Sequence, residues 1–191
     1  MSNETNSYRF SIADARLAFP NLFKAKAGPD GGEPSFSAAL IIPPNHPIIP
    51  KLNAAFERLA KEKWGEKGPA IVKQLRAQDR LALHDGATKA GYAGYDGNMF
   101  INTRSKMRPT VVDRNKVPLS EEDGKVYAGC YVNALIELWA QDSQSYGKRI
   151  NAQLRGVQFS RDGDAFSAGS VAGEDEFADL GDQGDDTDPL S

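Results

Sequence analysis

Residues Gly91–Arg108 read GYAGYDGNMFINTRSKMR. Two tyrosines, Tyr92 and Tyr95, are spaced by small residues, and an alternating segment follows. Successive side chains of a β-strand point to opposite faces. Met99, Ile101 and Thr103 therefore make one face, suited to a core. Asn98, Phe100, Asn102, Arg104, Lys106 and Arg108 make the other, a solvent face with one ring among cations. Rings among positive charges are what a single nucleic-acid strand requires, because bases stack on the rings and phosphates pair with the cations. The alternative is an ordinary exposed strand whose Phe100 tucks under a loop.

The flanking sequence extends the β pattern. Tyr8–Phe19 alternates but changes parity, with Tyr8, Phe10 and Ile12 on one side and Ala15, Leu17 and Phe19 on the other. This predicts a bulge near Ala13–Asp14, as a strand curling around a barrel needs, with the strand ended by Pro20–Asn21. A second strand, Phe36–Ile42, is almost wholly apolar and so central in a sheet. Ile49, Leu52, Ala55, Phe56, Leu59 and Ala60 fall at helical spacing, and Trp64–Gly65 stops that helix. A second helix opens at Pro69 and runs to about Gln78. These helices form an insertion, about 46–80, between strands. Leu81–Leu83 leads into a turn at Asp85–Gly86, where His84 reads as a turn residue. Thr110–Val112 is a short strand.

Tyr127–Gln141 is the clearest strand. Its even positions, Ala128 to Ala140, are all apolar and include Cys130, which reads as core. Its odd positions carry Tyr127, Tyr131 and Trp139. Trp139 reads either as a stacking platform or as an edge packed under the helix, and the second is favoured. Arg149–Arg161 is the last strand, with another parity change near Gly156. Tyr146 and Lys148 lie in the loop before it. Five or six strands with parity breaks and one helical insertion predict a mainly β fold, a small Greek-key barrel.

Composition bounds the function. Hydrophobic residues are 40% and charged residues 26% of 191, ordinary for a soluble globular chain. There is no apolar run of bilayer length, so no membrane role is expected. MSNETNSYRF lacks the pattern of a secretory signal, and one cysteine fits a reducing cytoplasm. One cysteine and two histidines cannot make an ordinary zinc site, and no cofactor is expected. No phosphate loop or nucleophile motif is present. The chain therefore reads as a binding protein rather than an enzyme. A metal-dependent DNA-processing enzyme and a protein-binding adaptor with a DNA-mimicking tail are the alternatives.

The charge is split. Glu174, Asp175, Glu176, Asp179, Asp182, Asp185, Asp186 and Asp188 follow one another with no Lys or Arg among them. Residues 1–173 keep 23 basic against 18 acidic residues, a net of +5. A basic body predicts a nucleic-acid partner. Residues 173–191 cannot bury a core, so a disordered acidic tail is expected beyond a body of residues 1–172.

Together, ARLAFPNLF at 15–23, GYAGYDGNMFINTRSKMRPTVVD at 91–113, YAGCYVNALIELWA at 127–140 and the acidic tail resemble the small single-stranded DNA-binding proteins of tailed bacteriophages. The resemblance covers most of the chain. It implies an OB-fold core, sequence-tolerant binding of single-stranded DNA in the bacterial host cytoplasm, and a tail that contacts replication or recombination proteins. Binding is expected to coat and protect the strand and to melt its secondary structure. The expected DNA-binding residues are Tyr92, Tyr95, Phe100, Arg104, Lys106, Arg108, Tyr131, Tyr146, Lys148, Arg149 and Arg155. Related tails end in an aromatic residue, whereas this one ends at Ser191, so Phe177 is the candidate replacement among the acids. A homodimer is left open.

Overall fold

A computed structural model of the chain describes residues 8–28 and 31–166. The expected tail from Gly173 onward, Phe177 included, lies outside the described residues. Among these residues seven strands and two α-helices follow in the order β1 (Arg9–Lys26), β2 (Ser35–Ile42), α1 (Ile48–Trp64), α2 (Gly68–Ala77), β3 (Leu83–Asp85), β4 (Met99–Ser105), β5 (Thr110–Val112), β6 (Tyr131–Ser143) and β7 (Gly147–Arg161). Hydrogen bonding gives the sheet order β3-β4-β2-β1-β6-β7-β5. A further parallel pairing, Thr103 to Ala152 and Arg104 to Gln153, joins β4 to β7. That seam closes β1, β2, β4, β7 and β6 into a five-stranded barrel of OB type.

The strands bend where the parity breaks. The β1–β6 register slips between Ile12 and Ala15, and Asp14 takes the left-handed conformation at φ 54°. This is the expected bulge, which curls one long strand around the barrel. The expected end at Pro20 is corrected, because β1 continues to Lys26. A second slip between Ala18 and Asn21 absorbs Pro20, whose nitrogen cannot donate to a ladder. The expected start of the clearest strand at Tyr127 is also corrected. Residues 127–130 form a turn with Gly129 at φ 106°, and β6 begins at Tyr131. Gly129 N donates to Leu17 O and Leu17 N to Cys130 O, so this turn is sewn to β1.

The core lies inside the barrel and runs under the helices. Ile12, Leu17, Leu40, Ile101, Val132, Ala134, Ile136 and Leu154 form one cluster with Leu52, Ala55, Phe56 and Ala60 of α1 and Val72 and Leu75 of α2. The helical insertion thus plugs one end of the barrel. Cys130 is fully buried in this cluster, and burial pushes its thiol pKa up. Side-chain hydrogen bonds tie the insertion to the β6–β7 hairpin. Trp64 Nε1 donates to Asp142 Oδ2 at 2.9 Å, and Arg80 Nη1 donates to Tyr146 O at 2.9 Å.

A smaller apolar cluster sits on the outer barrel face, formed by Ala18, Ala39, Ile41, Tyr95 and Phe100. It corrects the expectation that Phe100 and Tyr95 are exposed rings. Phe100 does occupy the outer face of β4, but the loop of residues 86–98 covers it. Its ring meets Tyr95 edge-on at 5.0 Å and stacks on His84 at 4.9 Å. Hydrogen bonds hold the loop in place. Asp85 caps Ala87 N at 2.9 Å, and Gly86 N donates to Asn98 O at 2.8 Å. A Cβ on Gly86 would lie 1.8 Å from Tyr95 O, so only glycine permits this approach. Phe100→Ala should therefore cost about 3–5 kcal/mol of stability. Urea unfolding tests this, and an unchanged midpoint would show that the ring is not core.

Candidate nucleic-acid interface

One open groove of about 1060 Å³ crosses the barrel face. Its floor is the closure seam and its neighbours: Ser37, Ala38 and Ala39 of β2, Asn102–Ser105 of β4, and Asn151–Gln153 of β7. These side chains are small or polar, so a ligand can approach the sheet closely. Thr103 Oγ1 donates to Ala38 O at 2.7 Å, and Gln153 Nε2 to Ser105 Oγ at 3.4 Å, which ties the floor across three strands.

Aromatic side chains stand along the rim. Tyr146 is 74% exposed, Phe19 56% and Trp139 45%. Each is placed by a local device. Ser143 Oγ accepts from the backbone of Ser145 and Tyr146, and Gly147 turns at φ 73°, so the hairpin presents Tyr146 at its tip. Trp139 lies on the outer parity of β6 opposite Asn151 of β7. Phe19 sits at φ 46° in the second bulge of β1, a conformation uncommon for any residue but glycine and costly for a bulky one. The bulge turns its ring away from the core and onto Tyr92, 5.5 Å away, and Tyr95, 6.4 Å away. Burial pushes the Tyr95 phenol up to about 12.

Among the described residues, the charges that line the groove are of one sign: Arg80, Lys89, Arg104, Lys106 and Arg149 line it, and no Asp or Glu does. Lys106 is partnered at the outer edge by Glu33 at 2.8 Å, an exposed and therefore weak pair. Of the residues expected from sequence, the groove gathers Tyr95, Arg104, Lys106, Tyr146 and Arg149. Tyr92, half exposed, stands beside its rim against Phe19.

The others lie elsewhere. Tyr131 is corrected as a free platform, because Arg161 covers its ring at 3.6 Å. Arg155 is corrected as a free cation, because its Nε donates to Glu137 Oε2 at 2.8 Å, a carboxylate that Arg9 shares. Arg108 stacks over Phe23 at 5.6 Å. Lys148 lies on the far side of the hairpin tip, 3.7 Å from Asp142. Sequence reasoning missed Phe19, Arg80 and Lys89 and favoured packing for Trp139. A proline directly after Phe19, inside a strand that must be central, was the available signal for a second bulge. The turn reading of His84 is corrected too. It belongs to β3, its Nδ1 lies 2.6 Å from Asp79 Oδ1, and its ring lines the groove.

Among the described residues no group of three His, Cys, Asp or Glu is placed to hold a metal ion. Nor is any described helix long and apolar enough to cross a membrane.

Residues 9–188 match the family model described as the ssDNA-binding protein of Enterobacter phage Enc34. The chain belongs to this family of phage single-stranded DNA-binding proteins. A relative from Acyrthosiphon pisum secondary endosymbiont phage 1, protein p50, is 40% identical over 175 residues, covering 90% of this chain and 94% of its own. Among solved structures, the single-stranded DNA-binding protein of bacteriophage Enc34 in complex with ssDNA is 28% identical with a TM-score of 0.71. The match covers 84% of this chain and 90% of that one. The single-stranded DNA binding protein gp2.5 of bacteriophage T7 is 17% identical with a TM-score of 0.53 over 92% of this chain and 96% of its own, a likeness of fold.

Within the Enc34-type barrel the Tyr95 phenol gives a direct probe of the ring cluster. An unfolded tyrosine ionises near pH 10, and the buried one near pH 12. The unfolded chain thus loses this proton first, and stability falls as pH rises from about 10 to about 12. Tyrosinate absorbance should show a component near pH 12 that Tyr95→Phe removes. Ionisation of all six tyrosines near pH 10 in the folded protein would refute the burial.

Proposed function

We propose that the protein binds single-stranded DNA without sequence preference and coats it during phage DNA replication or recombination. The observation that carries this reading is the groove itself, which among the described residues is lined by five cations and no carboxylate, with exposed rings at its rim. A small-residue floor flanked by Tyr146, Trp139 and Phe19 suits bases that stack on rings. Arg104, Arg149, Arg80 and Lys89 suit phosphates passing alongside. Membership of a family with one member solved on ssDNA supports the same reading. No bond is made or broken. Binding removes the strand from duplex and hairpin equilibria, which melts secondary structure and protects the strand.

The groove should discriminate by strand number. In fluorescence anisotropy, affinity for labelled single strands should exceed that for duplex and should fall with salt, by about 0.7 in the logarithmic slope per phosphate neutralised. Tyr146→Ala and Trp139→Ala should each weaken binding by roughly 1–3 kcal/mol without loss of thermal stability. Arg104→Ala and Arg149→Ala should flatten the salt slope. Equal affinity for both DNA forms, or no slope, overturns the reading.

The acidic stretch from Glu174 to Asp188 is assigned a second role, recruiting replication or recombination proteins and competing with DNA for the basic body. Its eight charges are tethered to that body, and tethering gives an effective concentration of about millimolar. A chain ending at Gly173 should bind single strands more tightly than the full chain, most clearly at low salt where screening is weak. No tightening, or weaker binding, would leave the tail with no competing role.

A further inference from the structure

A second depression, about 640 Å³, lies on the other side of the β6–β7 hairpin tip. One wall is a single face of the second helix, where Lys67, Ile71, Gln74 and Gln78 recur at helical spacing. The opposite wall is Gly147, Lys148 and Asp142. Arg80 lines both this depression and the main groove, and the hairpin tip between them rests on its guanidinium. The two hollows are thus neighbours across one exposed tyrosine, Tyr146.

Their electrostatics agree. Lys67, Arg80 and Lys148 face the depression against one carboxylate, Asp142. That carboxylate already accepts from Trp64 Nε1 and lies 3.7 Å from Lys148. Lys67 stands at the N-cap of its helix, where the macrodipole disfavours a cation. A polar, net-positive hollow with amide donors suits a phosphodiester backbone rather than an apolar ligand.

We propose that a single DNA strand leaving the main groove passes over Tyr146 and continues into this depression, where the helical insertion holds its backbone. This rests on the single-strand reading above and adds a strand path to it. The insertion then has two roles, as plug of the barrel and as the outer part of the binding track. Lys67 contacts a phosphate, and Gln74 and Gln78 donate to backbone oxygens.

The extension predicts a length dependence. Full-length protein is titrated with labelled oligo-dT of about 4 and about 16 nucleotides, the range of single OB folds. Lys67→Glu should lower affinity for the long strand several-fold and leave the short strand unchanged. Lys67→Arg should bind both as the parent does. An acid at that N-cap suits the helix dipole, so the fold should hold. Lys67→Ala repeats the test without adding a charge and should lower the long-strand salt slope by about 0.7. Parental affinity of Lys67→Glu for the long strand overturns the proposal, and so does an equal loss at both lengths, which would be a general field effect. Failure of the parent protein to bind either strand would instead refute the single-strand reading beneath it.

Discussion

The two-residue parallel seam between β4 and β7 is the contact on which the rest of the molecule depends. Without it the sheet is an open ribbon with β3 and β5 at its edges. With it, Thr103 meets Ala152 and Arg104 meets Gln153, and the barrel closes around Ile101, Ile136 and Leu154. The same residues then make the floor of the groove. Closure and ligand surface are one feature seen from two sides, with Thr103 buried on the inside and Arg104 exposed on the outside. A seam so short has few backbone bonds, and Gln153 of β7 adds a side-chain bond across it to Ser105 of β4, while Thr103 Oγ1 ties β4 back to Ala38 O of β2.

Bending determines which rings reach the groove. A straight β1 would bury Phe19 with Leu17, as its parity requires. The second bulge reverses it, at a backbone cost of about 1–3 kcal/mol for a residue held in the left-handed region. The reward is contact with Tyr92 and Tyr95, which pack edge-to-face and bring the 86–98 loop onto Phe100. Phe166 closes the other side of this cluster. Its ring lies under the Arg16 guanidinium at 4.2 Å and fits against Gly94, where φ is 86°. The segment after β7 is therefore strapped across the barrel to the rim. The Tyr127 phenol donates to Asp162 Oδ1 at 2.9 Å along the way.

Local pattern made much of this legible. The alternation of β6, the helical spacing of α1, the stop at Gly65 and the bulge at Asp14 are all short-range signals, and each appears in the structure. The faces of β4 were legible as well, with Ile101 and Thr103 inward and Asn102 and Arg104 outward. What covers a face is not a local property. Phe100 lies on the outer parity yet is 1% exposed, because a loop folded back over it. Tyr131 is shielded by Arg161, thirty positions later in the chain, and Arg155 is claimed by Glu137 across a strand pair. A parallel seam leaves no turn signature, so the groove it builds could not be read from spacing.

Among the described residues, the sign of the groove follows from where the acids are absent. Arg80, Lys89, Arg104 and Arg149 come from a loop after α2, the 86–98 loop, β4 and β7, so nothing local requires them to converge. Packed around one open hollow they repel one another, and proximity to a low-dielectric sheet strengthens that repulsion. Elsewhere on the same surface cations are matched, Arg9 and Arg155 by Glu137 and Arg161 by Asp14. Stability alone would favour the same matching in the groove. In the proposed reading this convergence is relieved when a single strand enters, so part of the binding energy is repulsion already present in the free protein. In the proposed reading the rings add what charge cannot, since a duplex offers phosphates but keeps its bases stacked on each other, while a single strand leaves its bases free to meet exposed rings such as Tyr146 and Trp139.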